Sequence, residues 1–303
     1  MCVLGARAIR IPISPGRLML GGVIHRQLHS GSTVYPKPHI IAVVRKGVNM
    51  GRLESKVAIV TGGAHGIGRA YCLGLAKESA KIAVVDLDLD AAEEVARTIG
   101  EQGGEAVAIY ADVSSEASTI AMAAAAAEAL GSVDILVNNA AVFEQVPMSR
   151  VSFMEVSAEE WDRLMAVNLK GPWLCTRAVF PYMKERGGGK IINISSGTVW
   201  GGNPTRPHYV ASKAGVMGLT RNLARELGEY GINVNTIQPG STLTDDLPPG
   251  ADLEQRERAV QPRAIKRIQV PADLVGAVVF LASADSDFMT GQIVTVDGGA
   301  IMH

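Results

Sequence analysis

Residues 57–68 read Val-Ala-Ile-Val-Thr-Gly-Gly-Ala-His-Gly-Ile-Gly, and this stretch decides the fold. Its first five residues are apolar or β-branched, which is typical of a strand covered on both faces. Three spaced glycines follow and lead into a helical pattern from Ile67. Gly62 permits a tight turn, Gly66 lets the backbone approach a pyrophosphate, and Gly68 lets helix and strand pack closely. Amide groups at the helix start favour phosphate charge, so this turn, His65 included, predicts a dinucleotide site.

Apolar runs and helical stretches alternate from Lys56 to the end of the chain. The predicted strands are Val57–Thr61, Ile82–Asp86, Ala106–Ala111, Ile135–Asn138, Lys190–Ser195, Asn233–Ile237 and Ile293–Val296. The predicted helices are Ile67–Ser79, Ala91–Gln102, Ser115–Leu130, Ala158–Arg186, Tyr209–Tyr230 and Pro271–Ala282. Most of these strands are continuous apolar runs, and strands that alternate with helices imply right-handed crossovers. We therefore expect an α/β fold, a Rossmann-type doubly wound parallel sheet of about seven strands in a single domain.

The first 49 residues differ from the rest, because they contain no Asp or Glu but several Arg and Lys. Such a composition is found in transit peptides. Pro12, Pro15, Pro36 and Pro38, however, would break a long amphipathic helix. A mis-assigned start, with Met50 as the initiator, is the alternative that we favour. We expect residues 1–49 to be a poorly ordered extension and residues 50–303 to form the dinucleotide-binding domain.

The bulk composition is that of a soluble globular protein. Hydrophobic residues make up 47% and charged residues 19% of the chain, with a formal net charge of −1. This balance argues against a nucleic-acid surface or a polybasic membrane patch. Cys2, Cys72 and Cys175 lack zinc-ligand spacing, which favours reduced thiols. We expect a cytoplasmic protein without a metal, a nucleic-acid partner or membrane attachment.

Two positions favour NAD over NADP as the dinucleotide. Asp86 ends the second predicted strand, where an acid accepts hydrogen bonds from the adenosine ribose and repels a 2′-phosphate. Inside the glycine-rich turn, position 65 is His, not an Arg or Lys that would bind that phosphate. An acid that caps the following helix is the alternative reading of Asp86.

Polar residues at the next two strand ends extend the predicted crevice. Asp112 and Val113 close the third strand, where the carboxylate would meet the adenine amino group. Asn139 and Ala140 follow the fourth strand, at the mouth of the crevice. Alone, such strand ends are more often ordinary turn chemistry.

Tyr209 and Lys213 have the most informative spacing for chemistry. Residues four apart share a helix face, so the phenol and the ammonium are predicted to lie side by side. A free Tyr, with a pKa near ~10, is a poor base at neutral pH. A nearby cation stabilises the phenolate and lowers that pKa. We also expect Lys213 to reach the nicotinamide ribose.

Two further residues fit this chemistry. Ser196 follows the predicted strand Lys190–Ser195, where its hydroxyl would hold the substrate oxygen; the neighbouring Ser195 competes for that role. Asn168 falls inside a long predicted helix, although Asn has a low propensity for a helix interior. A kink there would free a carbonyl to hold a water chain to Lys213.

Residues 53–299 resemble the short-chain dehydrogenases/reductases, in the single-domain branch. The matched pieces are TGGAHGIG, Asp86, Asp112-Val113, NNAA, Asn168, Ser196, YVASK, Pro239-Gly240 with Thr244, and TGQIVTVDGG at 290–299. Together they are specific and cover nearly the whole chain after Met50. The resemblance implies a catalytic tetrad of Asn168, Ser196, Tyr209 and Lys213, with Tyr209 as the acid/base.

The same resemblance implies how the nicotinamide end is held. Thr242 and Thr244, after Pro239 and Gly240, would anchor the carboxamide, and hydride would pass directly to or from the carbinol carbon without a metal. A homotetramer is implied as well. The sequence departs from the family at Ala141, where Gly is usual. A methyl group there would tighten the pocket without abolishing binding.

The sequence says less about the substrate. Phe143–Ser157 is longer than usual for the family. Asp245–Val270 is expected to be a mobile lid over the crevice, with a plain surface loop as the alternative. Trp200, in the loop before Tyr209, offers an apolar wall for an aromatic or alicyclic substrate, with interface packing as the alternative. That Trp and the chain end are similar to NAD-dependent 1-phenylethanol dehydrogenases. His208 is expected to point away from Tyr209 and to be structural.

Three functions remain open at this stage. The first is an NAD-dependent dehydrogenase of secondary alcohols, aromatic or alicyclic. The second is a 3-oxoacyl thioester reductase. Such reductases usually use NADPH, and Asp86 argues against that cofactor. A basic entrance for an acyl carrier would be supplied by Arg256, Arg258, Arg263, Lys266 and Arg267. The third is a non-catalytic dinucleotide sensor, which would have no need of Ser196, Tyr209 and Lys213 together.

Overall fold

The computed structural model describes residues 51–143, 148–244 and 257–302. The predicted extension 1–49 lies outside these residues, as do parts of the predicted lid and of Phe143–Ser157. The strands are β1 (Val57–Thr61), β2 (Lys81–Asp86), β3 (Ala106–Tyr110), β4 (Ile135–Asn138), β5 (Gly189–Ile194), β6 (Ile232–Pro239) and β7 (Ile293–Val296). The α-helices are α1 (Gly66–Lys77), α2 (Leu89–Glu101), α3 (Glu116–Leu130), α4 (Ala158–Met165), α5 (Gly171–Glu185), α6 (Thr198–Gly201), α7 (Pro207–Leu227) and α8 (Ala272–Ala282).

The strands form one seven-stranded parallel sheet in the order β3-β2-β1-β4-β5-β6-β7. The prediction of a Rossmann-type doubly wound sheet is confirmed. The strand order reverses between β1 and β4, and such a switch point opens a crevice at the carboxyl ends of the strands. The glycine-rich turn follows β1 directly, so it lies at this crevice.

Both faces of the sheet are buried, which explains why the strand sequences are continuously apolar. Along β1, Ala58 and Val60 pack on one side, in a core shared with α1, α2 and α8. Val57 and Ile59 pack on the other, in a core shared with α3, α5 and α7. Full burial of such a Val or Ile contributes roughly 1.5–3 kcal/mol. The alanine-rich α3 belongs to this second core, where its small side chains let it pack closely on the sheet.

One helix differs from the prediction. The expected single helix Ala158–Arg186 is divided by a π-helical turn, Ala166–Lys170, between α4 and α5. A π turn adds one residue to a helix without ending it, so the apolar pattern gives little sign of it. Asn168 lies within the turn, close to where a kink was expected.

Within the described ranges, no helix is both long and apolar enough to cross a bilayer. The same residues contain no group of three His, Cys, Asp or Glu side chains that could hold a metal ion. Cys72 and Cys175 are buried and unpaired. Burial raises the pKa of the Cys175 thiol to about 12, so this thiol is protonated and inert at neutral pH.

Candidate active site

A cavity of about 930 Å³ lies at the carboxyl ends of the strands. Nearly all of the predicted site residues line it. These are Gly62, His65, Gly66, Ile67, Gly68, Asp86, Asp112, Val113, Asn139, Ala140, Ser196, Tyr209, Lys213, Pro239, Gly240, Thr242 and Thr244. Asn168 is the predicted residue that does not. One cavity therefore joins the glycine-rich turn to the Tyr209 end.

The glycine-rich turn has the geometry that its sequence requires. Gly62 and Gly66 have φ values of +62° and +46°, which L side chains rarely adopt. A Cβ atom on Gly68 would lie 1.8 Å from the Gly62 carbonyl oxygen. His65 begins α1, but its Nε2 pairs with Asp88 Oδ2 at 3.1 Å instead of capping the helix. The start of α1 lines the cavity and has no side-chain capping hydrogen bond from His65, and these residues fit a diphosphate.

Asp86 holds the turn while it lines the cavity. Its Oδ2 accepts a hydrogen bond from the Ala64 backbone N–H at 3.0 Å, and its Oδ1 accepts from the Asp88 N–H at 3.2 Å. The carboxylate is thus fixed at the edge of the cavity. The negative charge has a defined position there, beside the turn that would hold a phosphate.

The ends of β3 and β4 support the same region. Asp112 Oδ1 accepts from the Ser114 backbone N–H at 2.8 Å and from its hydroxyl at 2.7 Å. The Asn139 side chain donates to the carbonyl oxygens of Thr61 and Gly62 at 3.1 and 2.9 Å. Asn139 thus ties β4 to the glycine-rich turn, a bracing role that the sequence did not predict.

Lys213 is buried at the centre of the chemical end. Its Nζ donates to the Ile194 carbonyl oxygen at 2.9 Å and lies 5.8 Å from the centre of the Tyr209 ring. Burial lowers the pKa of Lys213 to about 8. Tyr209 is itself buried and its ring packs 5.0 Å from that of Phe143. The predicted juxtaposition of phenol and ammonium is present.

The structure separates the roles of the two serines. The buried Ser195 hydroxyl donates to the Lys213 carbonyl oxygen at 2.8 Å, so it fastens α7 to the end of β5. The Ser196 hydroxyl accepts a hydrogen bond from the Thr198 N–H at 3.3 Å and stays half-buried on the cavity wall. This arrangement supports Ser196 as the residue for a substrate oxygen.

Asn168 acts from behind the cavity. Its Oδ1 accepts from the Val142 N–H at 2.7 Å, and its Nδ2 donates to the Val142 carbonyl and to the Ser212 hydroxyl, both at 3.4 Å. The side chain is fully buried. It therefore fixes the backbone of Val142, which lines the cavity, and links that segment to α7.

Comparisons with known proteins agree with this geometry. The family model for the short chain dehydrogenases matches residues 56–249. The chain belongs to the short-chain dehydrogenase family.

The similar proteins are oxidoreductases of this family. An uncharacterized oxidoreductase of Mycobacterium tuberculosis is 42% identical over 82% of the chain and 99% of its own length. The 3-oxoacyl-[acyl-carrier-protein] reductase of Staphylococcus epidermidis is 37% identical over 82% of the chain and all of its own length. A crystal structure of a proposed short-chain alcohol dehydrogenase from Sinorhizobium meliloti covers 82% of the chain and 97% of its own, with 35% identity and a TM-score of 0.77.

Trp200 and His208 lie outside the lining of this cavity. Trp200 does not line the cavity, and the prediction of an apolar wall is wrong: its indole donates to Gln238 Oε1 at 2.8 Å and the side chain is 47% exposed. His208 is buried, with Nε2 3.3 Å from Glu160 Oε1, and faces α4 instead of the cavity, as predicted.

Three arginines of the cavity were missed by sequence reasoning. Arg150, Arg163 and Arg206 line the same cavity as Tyr209. A signal existed only for Arg206, which lies three residues before Tyr209 at the start of α7. The other two come from segments far away in sequence, and nothing in their local pattern indicates a cavity.

Proposed function

We propose that this short-chain dehydrogenase interconverts a secondary alcohol and a ketone with NAD, through Ser196, Tyr209 and Lys213. The observation that carries the proposal is that these three side chains share one cavity with the glycine-rich turn of α1. When bound, the nicotinamide supplies or accepts the hydride. A fold alone would not specify this reaction, since function resides in the site.

The side chains have complementary tasks in alcohol oxidation. The Ser196 hydroxyl positions the substrate oxygen by a hydrogen bond. Tyr209, as phenolate, takes the hydroxyl proton, and in ketone reduction the phenol returns it. The Lys213 ammonium favours the phenolate by its charge. Thr242 and Thr244, both buried on the cavity wall, would hold the carboxamide.

Lys213 gives the site a specific pH range. Because burial lowers its pKa to about 8, the ammonium loses its proton in mildly alkaline solution. The electrostatic support for a Tyr209 phenolate weakens as that charge is lost. We therefore infer that alcohol oxidation depends on two opposing titrations, a phenol that must lose its proton and an amine that must keep it.

Asp86 and His65 support NAD as the preferred dinucleotide. The Asp86 carboxylate is fixed by two backbone N–H groups beside the turn, where a 2′-phosphate would meet its negative charge. His65 is engaged by Asp88, and this pairing adds a second carboxylate near the same position. NADP is the less favoured cofactor.

A 3-oxoacyl thioester reductase is the second candidate function. The similarity to the Staphylococcus epidermidis reductase supports it, because that relative matches over its whole length. Of the predicted basic entrance, Arg263 is buried and donates to the Ser241 and Arg267 carbonyl oxygens, while Arg267 pairs with Asp273. Both are therefore committed to the fold, which weakens the acyl-carrier reading.

Nicotinamide reduction with a substrate panel tests the proposal. Purified enzyme is assayed with NAD or NADP against secondary alcohols from 1-phenylethanol to cyclohexanol, and against a 3-hydroxyacyl thioester. Turnover of the free alcohols with NAD supports the proposed function. Activity confined to the thioester, above all with NADP, favours the second candidate. Binding of NADH without turnover of any substrate in either direction would favour a non-catalytic dinucleotide sensor.

We also propose that the enzyme is a cytoplasmic homotetramer. Trp173 on α5 is 40% exposed and lies beside a surface groove lined by Gly215 and Gly218 of α7. Small residues on one helix and a large exposed ring on another suit close packing between subunits. Light scattering at several concentrations tests the oligomeric state, and a monomer throughout would contradict it.

A further inference from the structure

The substrate end of the cavity carries an excess of positive charge. Arg150 and Arg206 line it next to Tyr209, together with Arg163. The carboxylates that line the same cavity, among the residues described, are Asp86, Asp112 and Asp297. Asp86 ends β2 and Asp112 follows β3, so both lie at the opposite end of the crevice from Tyr209.

The third carboxylate, Asp297, is already used. It accepts backbone hydrogen bonds from residues 299, 300 and 301 at 2.8, 3.2 and 2.9 Å. The cation with which it interacts is Arg263. Among the residues that the structure describes, no carboxylate of the cavity is therefore left to pair with Arg150 or Arg206.

Arg206 is the more informative of these two arginines. It is half-buried, and its Nε is a buried donor without a hydrogen-bond partner in the described part of the chain. Burial lowers its pKa, and the charge of Arg150 lowers the pKa further, whereas Tyr209 raises it. Two cations that repel each other thus line the cavity wall shared with Tyr209. A buried charge without a partner is costly, and an anionic ligand would remove that cost.

We propose that the substrate is a hydroxy acid, or the corresponding oxo acid, whose carboxylate binds Arg206 with Arg150 at its side. An arginine holds a carboxylate by paired N–H···O bonds, which fix both position and orientation. This inference rests on the proposed oxidation of a secondary alcohol at Tyr209 and names the class of that alcohol.

The position of Arg206 favours a carboxylate of the substrate over the phosphates of an acyl carrier. Arg206 lies three residues before Tyr209 and lines the same cavity, and the charge of Tyr209 raises the Arg206 pKa. An anion held by Arg206 would therefore lie near the carbon that reacts at Tyr209. The phosphates of a coenzyme A or carrier-protein thioester lie at the far end of a long pantetheine chain. A free carboxylate next to the carbinol satisfies the geometry.

Matched pairs of substrates test the inference. The enzyme is assayed with NAD on 2-, 3- and 4-hydroxy acids and on the methyl ester of each, which removes the charge and adds one methyl group. We expect at least one acid to exceed its ester about 10-fold or more in kcat/KM. In Arg206→Met the ratio of kcat/KM for acid over ester falls toward one, while Arg206→Lys keeps part of the preference for the acid. Arg221→Met, an exposed arginine on the same helix, is the matched control and keeps the wild-type ratio.

Three results would overturn the inference. Esters preferred over acids in the wild type would exclude a carboxylate site. An equal loss for acid and ester in Arg206→Met would mean that Arg206 acts on Tyr209 instead of on substrate. A wild-type preference for the acid that persists in both Arg206→Met and Arg150→Met would place the anion elsewhere. Circular dichroism shows whether each variant is folded. If Arg206→Met does not fold, Arg150→Met takes its place in the comparison of acid and ester.

A binding measurement separates this inference from the proposed reaction. Butyrate and butyramide are titrated into the enzyme with NADH by calorimetry, which requires no turnover. Butyrate binding that exceeds butyramide binding, and is lost in Arg206→Met, supports the carboxylate site even if no alcohol is oxidised. Equal binding of the two overturns it, even if neutral alcohols are good substrates and the proposed reaction stands.

Discussion

The two ends of the cavity are built in different ways. At the glycine-rich end, polar groups are satisfied within the protein: Asp86 accepts from two backbone N–H groups and Asn139 donates to two carbonyls. At the Tyr209 end, the buried Arg206 Nε has no hydrogen-bond partner among the described residues, and the charge of Arg150 lowers the Arg206 pKa. The first end is complete before a ligand arrives. The second is complete only with a ligand of opposite charge.

This difference explains where the two kinds of specificity reside. A cofactor common to many reactions can be held by strand ends, whose positions follow from the sheet. A particular substrate must be recognised by loops, which vary without cost to the core. The contrast can be tested end by end, beginning with the chemistry that joins them.

The largest effect is expected at Tyr209. Tyr209→Phe removes the proton-transferring hydroxyl but keeps the ring that packs on Phe143. General acid–base catalysis contributes roughly 10²–10⁴-fold, so kcat is expected to fall by that factor. Fluorescence titration should show NADH affinity within about twofold of wild type. Retained turnover would remove Tyr209 from the mechanism.

The next effect concerns the glycine-rich end. In Gly68→Ala the new Cβ would meet the Gly62 carbonyl oxygen at 1.8 Å, so the turn must move. We expect NADH affinity to fall about 100-fold and stability to fall by about 1–3 kcal/mol. Calorimetry and thermal unfolding measure both. Gly100→Ala is the matched control, because nothing lies within 4 Å of its Cβ in α2, and it should be slightly stabilising.

Lys213 links the two ends, and its effect on stability should depend on pH. Its folded pKa of about 8 is below the unfolded value, so burial of the charge costs stability below pH 8 and that cost fades as pH rises toward ~10.4. Relative to Lys213→Met, we expect wild type to gain about 2–3 kcal/mol of unfolding free energy between pH 7 and pH 10. Urea unfolding of the cofactor-free proteins at both pH values measures this.

One result would contradict the prediction for Lys213. A difference between the two proteins that is constant from pH 7 to pH 10 would mean that the amine keeps its ordinary pKa, and so stays charged, in the folded state. Lys213→Met should also lose most activity, since the variant has no cation beside Tyr209. Arg221→Met, exposed on the same helix, should show neither change.

The smallest effect is expected at Asp86. Asp86→Asn removes the charge but keeps an oxygen to accept from the Ala64 N–H. We expect the ratio of kcat/KM for NAD over NADP to fall about 10-fold, because the repulsion of a 2′-phosphate is removed. Steady-state kinetics with both cofactors measures the ratio. If the ratio does not change, discrimination between the cofactors lies elsewhere in the turn.

The sequence predicted the glycine-rich end better than the Tyr209 end, for a physical reason. Strands with two buried faces and glycines with positive φ are local demands on residue type, so β1 and Gly62 could be recognised directly. Arg206 and Trp200 depend instead on the direction in which a loop turns. That direction is set by contacts such as the Trp200 bond to Gln238, thirty-eight residues away along the chain.

Asn168 shows a second limit of prediction. Its importance was implied by resemblance, and a kink was expected around it. Its hydrogen bonds to Val142, however, join segments 26 residues apart. A π turn between two helices leaves little trace in the apolar pattern, so Asn168 indicated a kink there but not its π-helical form.

The double attachment of Lys213 has a consequence for the evolution of this enzyme. Its Nζ is held by Ile194 and its carbonyl by Ser195, so one residue of α7 is bound twice to the end of one strand. The helix that carries the phenol can neither slide nor rotate without breaking both bonds. New substrates must therefore come to a stationary acid/base, and only the walls around it are free to diversify. An engineer who seeks a different alcohol should exchange the loop residues and leave this anchored helix untouched.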